Sequence, residues 1–111
     1  YVHIAHDCII GNQIIFANNA SLAGHVFVED FATISGFCIV RQFTRIGQYS
    51  FVAGGSGVGK DVLAFTLVSG VPARARGLNI VGLRRRGFTI EQILQLRRAY
   101  KTIYRQGLTT E

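Results

Sequence analysis

Every sixth residue from Ile4 is apolar: Ile4, Ile10, Phe16, Leu22, Val28, Ile34, Val40, Ile46, Val52 and Val58, ten in a row. No α-helix carries such a stripe, because at 3.6 residues per turn a six-residue spacing walks the apolar positions around the cylinder. Two residues before each member stands a second small or apolar side chain, in the series Val2, Cys8, Ile14, Ala20, Val26, Ala32, Cys38, Thr44, Ser50 and Ser56. The residue after each member is usually small, with Glu29 and Arg41 as the exceptions. Side chains two apart on a strand share a face, so each hexad offers a two-residue inward stripe and then a tight corner. Units of this kind cannot bury their inner faces singly and must stack, which is the pattern of a hexapeptide-repeat parallel β-helix.

The repeat also disposes of a tempting motif. Residues 54–61 read GGSGVGKD, which completes G-x-x-x-x-G-K but places Asp61 where a nucleotide-binding loop needs Ser or Thr. Val52 and Val58 hold the six-residue register straight through it. The glycines at 54, 55, 57 and 59 therefore read as turn and corner residues, with no helix start after Lys60 to hold a phosphate.

After Asp61 the repeat fades, and the chain changes character near its only proline, in SGVPARARG at 69–77. The expected division is a β-helix over 1–72 and a basic loop with an α-helical region over 73–111. Thr89 can cap a helix with Gln92 three residues on, Ile93, Leu96, Tyr100 and Ile103 make its apolar stripe, and Gly107 stops it. Another face carries Arg97, Arg98, Lys101 and Arg105, which without a partner is a solvated helix face. Residues 1–72 have a net charge of −1, whereas 73–111 carry nine Lys or Arg against Glu91 and Glu111, a net of +7. That asymmetry suggests an acidic partner.

With 111 residues, 49% of them apolar, the chain fits one domain with a real core, and no run is long or apolar enough to span a membrane. It starts at Tyr1 with neither Met nor a signal-peptide pattern, so an earlier segment is expected. Cys8 and Cys38 occupy inward positions five hexads apart, on different sides of a three-sided coil, and read as buried free thiols of a reducing cytosol.

If three hexads make one coil, residues 18 apart stack at about 4.8 Å. His6 then lies under Gly24 and Gly24 under Gln42, while Asp7 lies under His25. By parity His3 points outward, and His6 and His25 sit at corners, so none of the three is a core histidine. A base, an orienting carboxylate and polar contacts gathered on one edge make a plausible reaction centre.

HIAHDC at 3–8, NNASLAGHV at 18–26, RQF at 41–43, GLNIVGLRRRGF at 77–88 and RRAYKTIYR at 97–105 resemble the UDP-N-acetylglucosamine O-acyltransferases that begin lipid A biosynthesis. The resemblance runs over nearly the whole chain, as a C-terminal part of such a protein. It implies a left-handed, three-sided parallel β-helix followed by an α-helical region, homotrimers in the cytoplasm, and an active site between subunits. It implies His6 as the general base, Asp7 as its orienting partner and Gly24 as the amide that receives the oxyanion. His3, His25 and Gln42 match polar substrate contacts, Asn79, Arg85 and Arg86 match residues that hold the uridine and its diphosphate, and Gly54 falls where acyl-chain length is limited. Arg97, Arg98, Lys101 and Arg105 match a surface that docks acyl carrier protein, whose phosphopantetheine delivers the acyl group with no further cofactor and no metal. The chain departs from the family pattern at Arg41, where His usually stands, and at Val81, where an acidic residue is common.

Other readings use fewer of these residues. Three histidines on an outer edge could hold zinc, as in carbonic-anhydrase-like β-helices, but HIAHD and GLRRRGF then have no role. A scaffolding β-helix leaves the stack of His6, Asp7 and Gly24 unexplained. An N-acyltransferase acting on a UDP-amino sugar is chemically closer. Nucleic acid is disfavoured because the basic helix face lacks a stacking-aromatic pattern.

Overall fold

The computed structural model describes residues 1–105. Ten two-residue strands follow one another at six-residue intervals: β1 (His3–Ile4), β2 (Ile9–Ile10), β3 (Ile15–Phe16), β4 (Ser21–Leu22), β5 (Phe27–Val28), β6 (Thr33–Ile34), β7 (Ile39–Val40), β8 (Arg45–Ile46), β9 (Phe51–Val52) and β10 (Gly57–Val58). β11 (Thr66–Ser69), β12 (Arg74–Leu78), α1 (Ile80–Arg85) and α2 (Ile90–Arg105) complete the order. Strands pair in parallel with partners 18 residues away, His3 with Ser21 and Ser21 with Ile39. Three hexads thus close one coil, and the three sides are the sheets β1-β4-β7-β10, β2-β5-β8 and β3-β6-β9-β11-β12. The expected parallel β-helix with a helical tail is the observed architecture.

The inward stripes make one continuous core. Ala20, Leu22, Val28, Ala32, Ile34, Cys38, Val40, Ile46 and Val52 have no exposed surface at all, whereas Val2 and Ile4 of the first coil remain exposed. Three inward hydroxyls settle on a carbonyl three residues back, Ser50 Oγ donating to Gly47 at 2.7 Å, Ser56 Oγ to Ala53 at 2.6 Å and Thr66 Oγ1 to Leu63 at 2.6 Å. They are buried without being left unpaired. Cys8 and Cys38 are free thiols, Cys38 fully buried and Cys8 half-buried.

Apart from the one at Gly59–Asp61, each corner turns on one residue in the left-handed region: Asp7, Gln13, Asn19, His25, Phe31, Phe37, Phe43, Tyr49 and Phe65, with Gly55 completing the set. For a side chain larger than glycine that conformation costs about 1–2 kcal/mol. Two returns offset it. The corner N–H bonds across the coils, as from His25 to the His6 carbonyl at 3.0 Å and from Tyr49 to the Asp30 carbonyl at 3.1 Å. Corner rings also stack, Phe31 on Tyr49 at 4.7 Å and Tyr49 on Phe65 at 5.6 Å, and such pairs add about 0.5–1.5 kcal/mol beyond the area they bury.

The repeat does not fade at Asp61; it loses two residues. Val62 bridges Ile46 and Val68 pairs with Val52, both 16 residues apart, and both are buried. The corner at Gly59–Asp61 is shortened, so the next inward residue follows Val58 by four and a strict count of six misses it. Glycine is needed where the shortened coil passes: a Cβ on Gly47 would lie 2.5 Å from Ala64 N and 2.6 Å from its Cα. Gly57 likewise lies in β10 and not in a turn, with Val71 packed over it, 3.2 Å from where a Cβ would stand. Glu29, an exception to the small-residue rule, takes the Arg45 guanidinium at 2.8 Å and the Gln48 N–H at 3.0 Å.

Beyond β11 the basic segment doubles back as β12, antiparallel to β11, and enters α1 through Asn79. α1 was not visible in the sequence pattern, since six residues are too few to show a period. The Thr89 cap forms as expected: Thr89 Oγ1 accepts the Gln92 N–H at 3.1 Å and Gln92 Oε1 accepts the Thr89 N–H at 2.8 Å. Ile93 is buried and Leu96, Tyr100 and Ile103 are half-buried, as the stripe requires. Gly107 lies outside the described residues.

Candidate active site

The three edges of the β-helix collect different chemistry. The first edge, between the sheets of β1 and β2, carries His6 and Asp7, then Gly24 and His25 one coil on, then Gln42 and Phe43, then Lys60 and Asp61. The positive φ of Asp7 and of His25 swings both side chains outward at the corner. His6 Nδ1 lies 3.1 Å from Asp7 Oδ2, and His25 Nε2 lies 3.7 Å from the same oxygen. An ionised carboxylate only accepts, so Nδ1 of His6 is the donor to Asp7, and in the neutral ring Nε2 carries the lone pair. The His6 and His25 rings meet edge to face at 5.1 Å, and His25 lies flat on Phe43 at 4.7 Å.

Gly24 is buried against the His6 ring. A Cβ built on it would stand 2.8 Å from Cε1 and 2.9 Å from Nε2 of His6. Its carbonyl accepts the Phe43 N–H at 3.1 Å, while its own N–H has no acceptor among the described residues. A lone pair and an unengaged amide therefore lie side by side. That is the combination needed to take a proton from a nucleophile and to receive an oxyanion.

His3 stands apart from this group, exposed on the outer face of β1. The three-histidine zinc set is thereby corrected: the groups that converge are His6, Asp7 and His25, with ligand atoms within 4.8 Å of one another. His3 misses because a strand residue next to an inward one faces the sheet's outer side, not the corner. Gln42, exposed, takes its place one coil past Gly24.

Asn79, Arg85 and Arg86 belong to the second edge, between the sheets of β2 and β3. Asn79 Oδ1 accepts the Gly82 N–H at 3.2 Å and caps α1, while Nδ2 donates to the Tyr49 carbonyl at 3.0 Å. The Arg86 guanidinium covers the Phe31 ring at 5.0 Å. A hollow of about 790 Å³ opens there, walled by Ile15, Phe31, Thr33, Tyr49, Phe51 and Leu67 of the β-helix and by Asn79, Val81, Gly82, Arg85 and Arg86 of the tail. The aromatic column of this edge went unnoticed in the sequence, although residues 18 apart at 31 and 49 could have shown it. The same spacing could have found Phe43 above His25.

Gly54 sits at the third edge, exposed, and a Cβ there would meet only the Gly36 carbonyl at 3.6 Å. Arg97, Arg98 and Lys101 are exposed on α2, and the side chain of Arg105 lies outside the described part. The predicted site residues thus fall on three edges, a sheet face and a helix: His6, Asp7, Gly24, His25 and Gln42 share the first edge, and Asn79, Arg85 and Arg86 the second.

Comparison with known proteins gives a consistent picture. Residues 61–111 match the family described as UDP-N-acetylglucosamine O-acyltransferase, domain 2. The acyl-(acyl-carrier-protein):UDP-N-acetylglucosamine O-acyltransferase of Pseudomonas savastanoi pv. phaseolicola is 59% identical over 109 residues, 98% of this chain and 42% of that protein. The chain therefore spans about two fifths of the length of that curated relative. Among solved structures, the UDP-N-acetylglucosamine acyltransferase of Arabidopsis superposes with a TM-score of 0.90 at 50% identity, over 99% of this chain and 37% of that one. The Campylobacter jejuni enzyme of the same name superposes at 0.91 and 46%, over 95% of this chain and 41% of that one.

Proposed function

Because the chain belongs to the family of UDP-N-acetylglucosamine O-acyltransferases, we propose that it moves an (R)-3-hydroxyacyl group from acyl carrier protein to the 3-hydroxyl of UDP-N-acetylglucosamine, the first step of lipid A biosynthesis. The observation that carries this reading is the contact of the His6 ring with Gly24, whose amide has no other acceptor among the described residues. Asp7 holds Nδ1, so Nε2 takes the proton from the sugar hydroxyl as its oxygen attacks the thioester carbonyl. The carbonyl oxygen becomes an oxyanion that the Gly24 N–H receives. Collapse of the intermediate expels the thiolate, which takes the proton back from the imidazolium and restores the enzyme. His3, His25 and Gln42 supply polar contacts around the sugar and acyl hydroxyls.

The nucleotide end of the substrate fits the second edge, where the hollow supplies aromatic walls and the two guanidiniums of Arg85 and Arg86 for a diphosphate. Since this hollow and His6 lie on different edges of one chain, a complete site takes its base from one copy and its nucleotide pocket from a neighbour. A closed homotrimer around an axis parallel to the β-helix supplies that pairing three times. Gly54 bounds the acyl groove, and exposed Arg97, Arg98 and Lys101 face the acidic carrier protein. No helix among the described residues is long and apolar enough to cross a membrane, and we place the reaction in the cytoplasm.

The test is acyl transfer by the full-length protein from 3-hydroxyacyl carrier protein to UDP-N-acetylglucosamine, with and without a zinc chelator. His6→Ala is expected to lose about 10²- to 10⁴-fold in kcat, the usual share of a general base, with no response to the chelator. Chelator-sensitive turnover would return His6, Asp7 and His25 to a metal ion. Turnover of the 3-amino sugar alone would establish the N-acyltransferase.

A further inference from the structure

The catalytic edge continues past the reaction centre and turns cationic. Register keeps it straight: β10 pairs with β7 through Gly57 with Ile39 and Val58 with Val40, and the Arg41 N–H donates to the Val58 carbonyl at 2.9 Å. Gly59 accordingly stands one coil beyond Arg41, and Lys60 follows it in the shortened corner, on the coil beyond Gln42. Both cations are exposed, and neither has an ion-pair partner among the described residues. Asp61, the nearest acid in sequence, is engaged elsewhere, accepting the Arg45 N–H at 2.9 Å. Between the two cations Gly59 leaves a gap. A Cβ there would meet nothing within 4 Å, and its φ is not one that requires glycine.

We infer that Arg41 and Lys60 form a phosphate site on this edge, one that grips the phosphodiester of the phosphopantetheine arm while the thioester lies between His6 and Gly24. The inference rests on the acyl-transfer reading and adds to it how the donor is held. Length supports the assignment. From His6 to Lys60 is three coils, about 14 Å, and from Gly24 two coils, about 10 Å. The arm from phosphate ester oxygen to sulfur is a dozen bonds long, as many as four extended residues, which reach about 13–14 Å. A donor laid along the edge therefore brings its phosphate to Arg41 and Lys60. The diphosphate of the sugar nucleotide has Arg85 and Arg86 on another edge, so it does not compete for these cations. The arm's two amides would run past Gln42, whose side chain can both donate and accept.

The experiment compares 3-hydroxyacyl-4′-phosphopantetheine with the same thioester of pantetheine, which lacks the phosphate, in the full-length protein. Wild type is expected to bind the phosphorylated donor about tenfold or more tightly in calorimetry without sugar, with the same ratio in kcat/KM. In the double variant Arg41→Gln, Lys60→Gln that ratio falls to near one, while KM for UDP-N-acetylglucosamine and kcat at saturating donor stay at wild-type values. High salt shrinks the wild-type ratio, because exposed charges are screened. A ratio that survives in the double variant overturns the site, as does a raised KM for the sugar nucleotide in place of the donor. Wild type that discriminates in binding yet transfers nothing to the sugar would support the phosphate site and remove the proposed acceptor.

Discussion

Replacing Gly24 by Ala tests the reaction centre at its closest contact. The new Cβ would stand 2.8 Å from His6 Cε1, 2.9 Å from Nε2 and 3.4 Å from Nδ1. Carbon atoms settle at about 3.5–4.0 Å, so the ring must retreat by about 0.7–1.2 Å. Folding should barely register this. Gly24 has no left-handed φ that an alanine would strain, and the His6 side chain is 74% exposed, with room to swing out. Because the atoms that must yield are the free end of an exposed side chain, the cost should stay within about 0.5 kcal/mol. Catalysis is less tolerant, since a misplacement of about 1 Å at a reacting group can cost on the order of 100-fold.

The assay is kcat for acyl transfer together with thermal unfolding of the full-length protein, and the expected pair is a 100-fold loss with an unchanged midpoint. A Gly24→Ala enzyme that keeps kcat within about threefold of wild type, with the midpoint unchanged, would refute the placement of the reacting carbonyl between His6 and Gly24.

Asp7→Asn keeps the size of the side chain but offers His6 Nδ1 an N–H as well as an oxygen, freeing the ring to take the wrong tautomer; kcat should fall by at least about tenfold. Far-ultraviolet circular dichroism should not change. Gly47→Ala should act in the opposite sense, sparing the catalytic edge but forcing Cβ to 2.5 Å from the Ala64 N. Overpacking against backbone costs about 1–3 kcal/mol, which a thermal melt would read as a midpoint several degrees lower.

The β-helix was legible because its signal is redundant: ten hexads repeat one rule, and each inward residue that obeys it confirms the register of the next. The first-edge cluster followed, since a register of 18 places Gly24 over His6 and His25 over Asp7 without any knowledge of side-chain conformations. What the sequence hid has physical causes. The shortened corner at Gly59–Asp61 shifts the register by two, and a count tied to six cannot see Val62 and Val68 resume it. α1 is shorter than two full turns and leaves no periodic trace. Asn79 shows how a polar residue is read two ways, since its amide caps α1 and ties it to the Tyr49 carbonyl while also walling the hollow.

A solenoid that places chemistry on its edges has a geometric consequence. Every edge residue recurs at one coil spacing, about 4.8 Å, so an edge measures distance along a bound chain as a ruler does. An extended substrate laid on the first edge meets His6, Gly24 and Gln42 in order, one contact per coil, before it reaches the shortened corner that holds Lys60. Nothing comparable links one edge to the next, because the packed core of Leu22, Ile34 and Ile46 lies between them. Long, thin substrates are therefore read along an edge within one chain, whereas a second substrate of different shape must be presented from another edge. On the proposed reading the acyl donor fits the first description and the sugar nucleotide the second, so that the hollow at Arg85 and Arg86 would serve the His6 centre from a neighbouring copy.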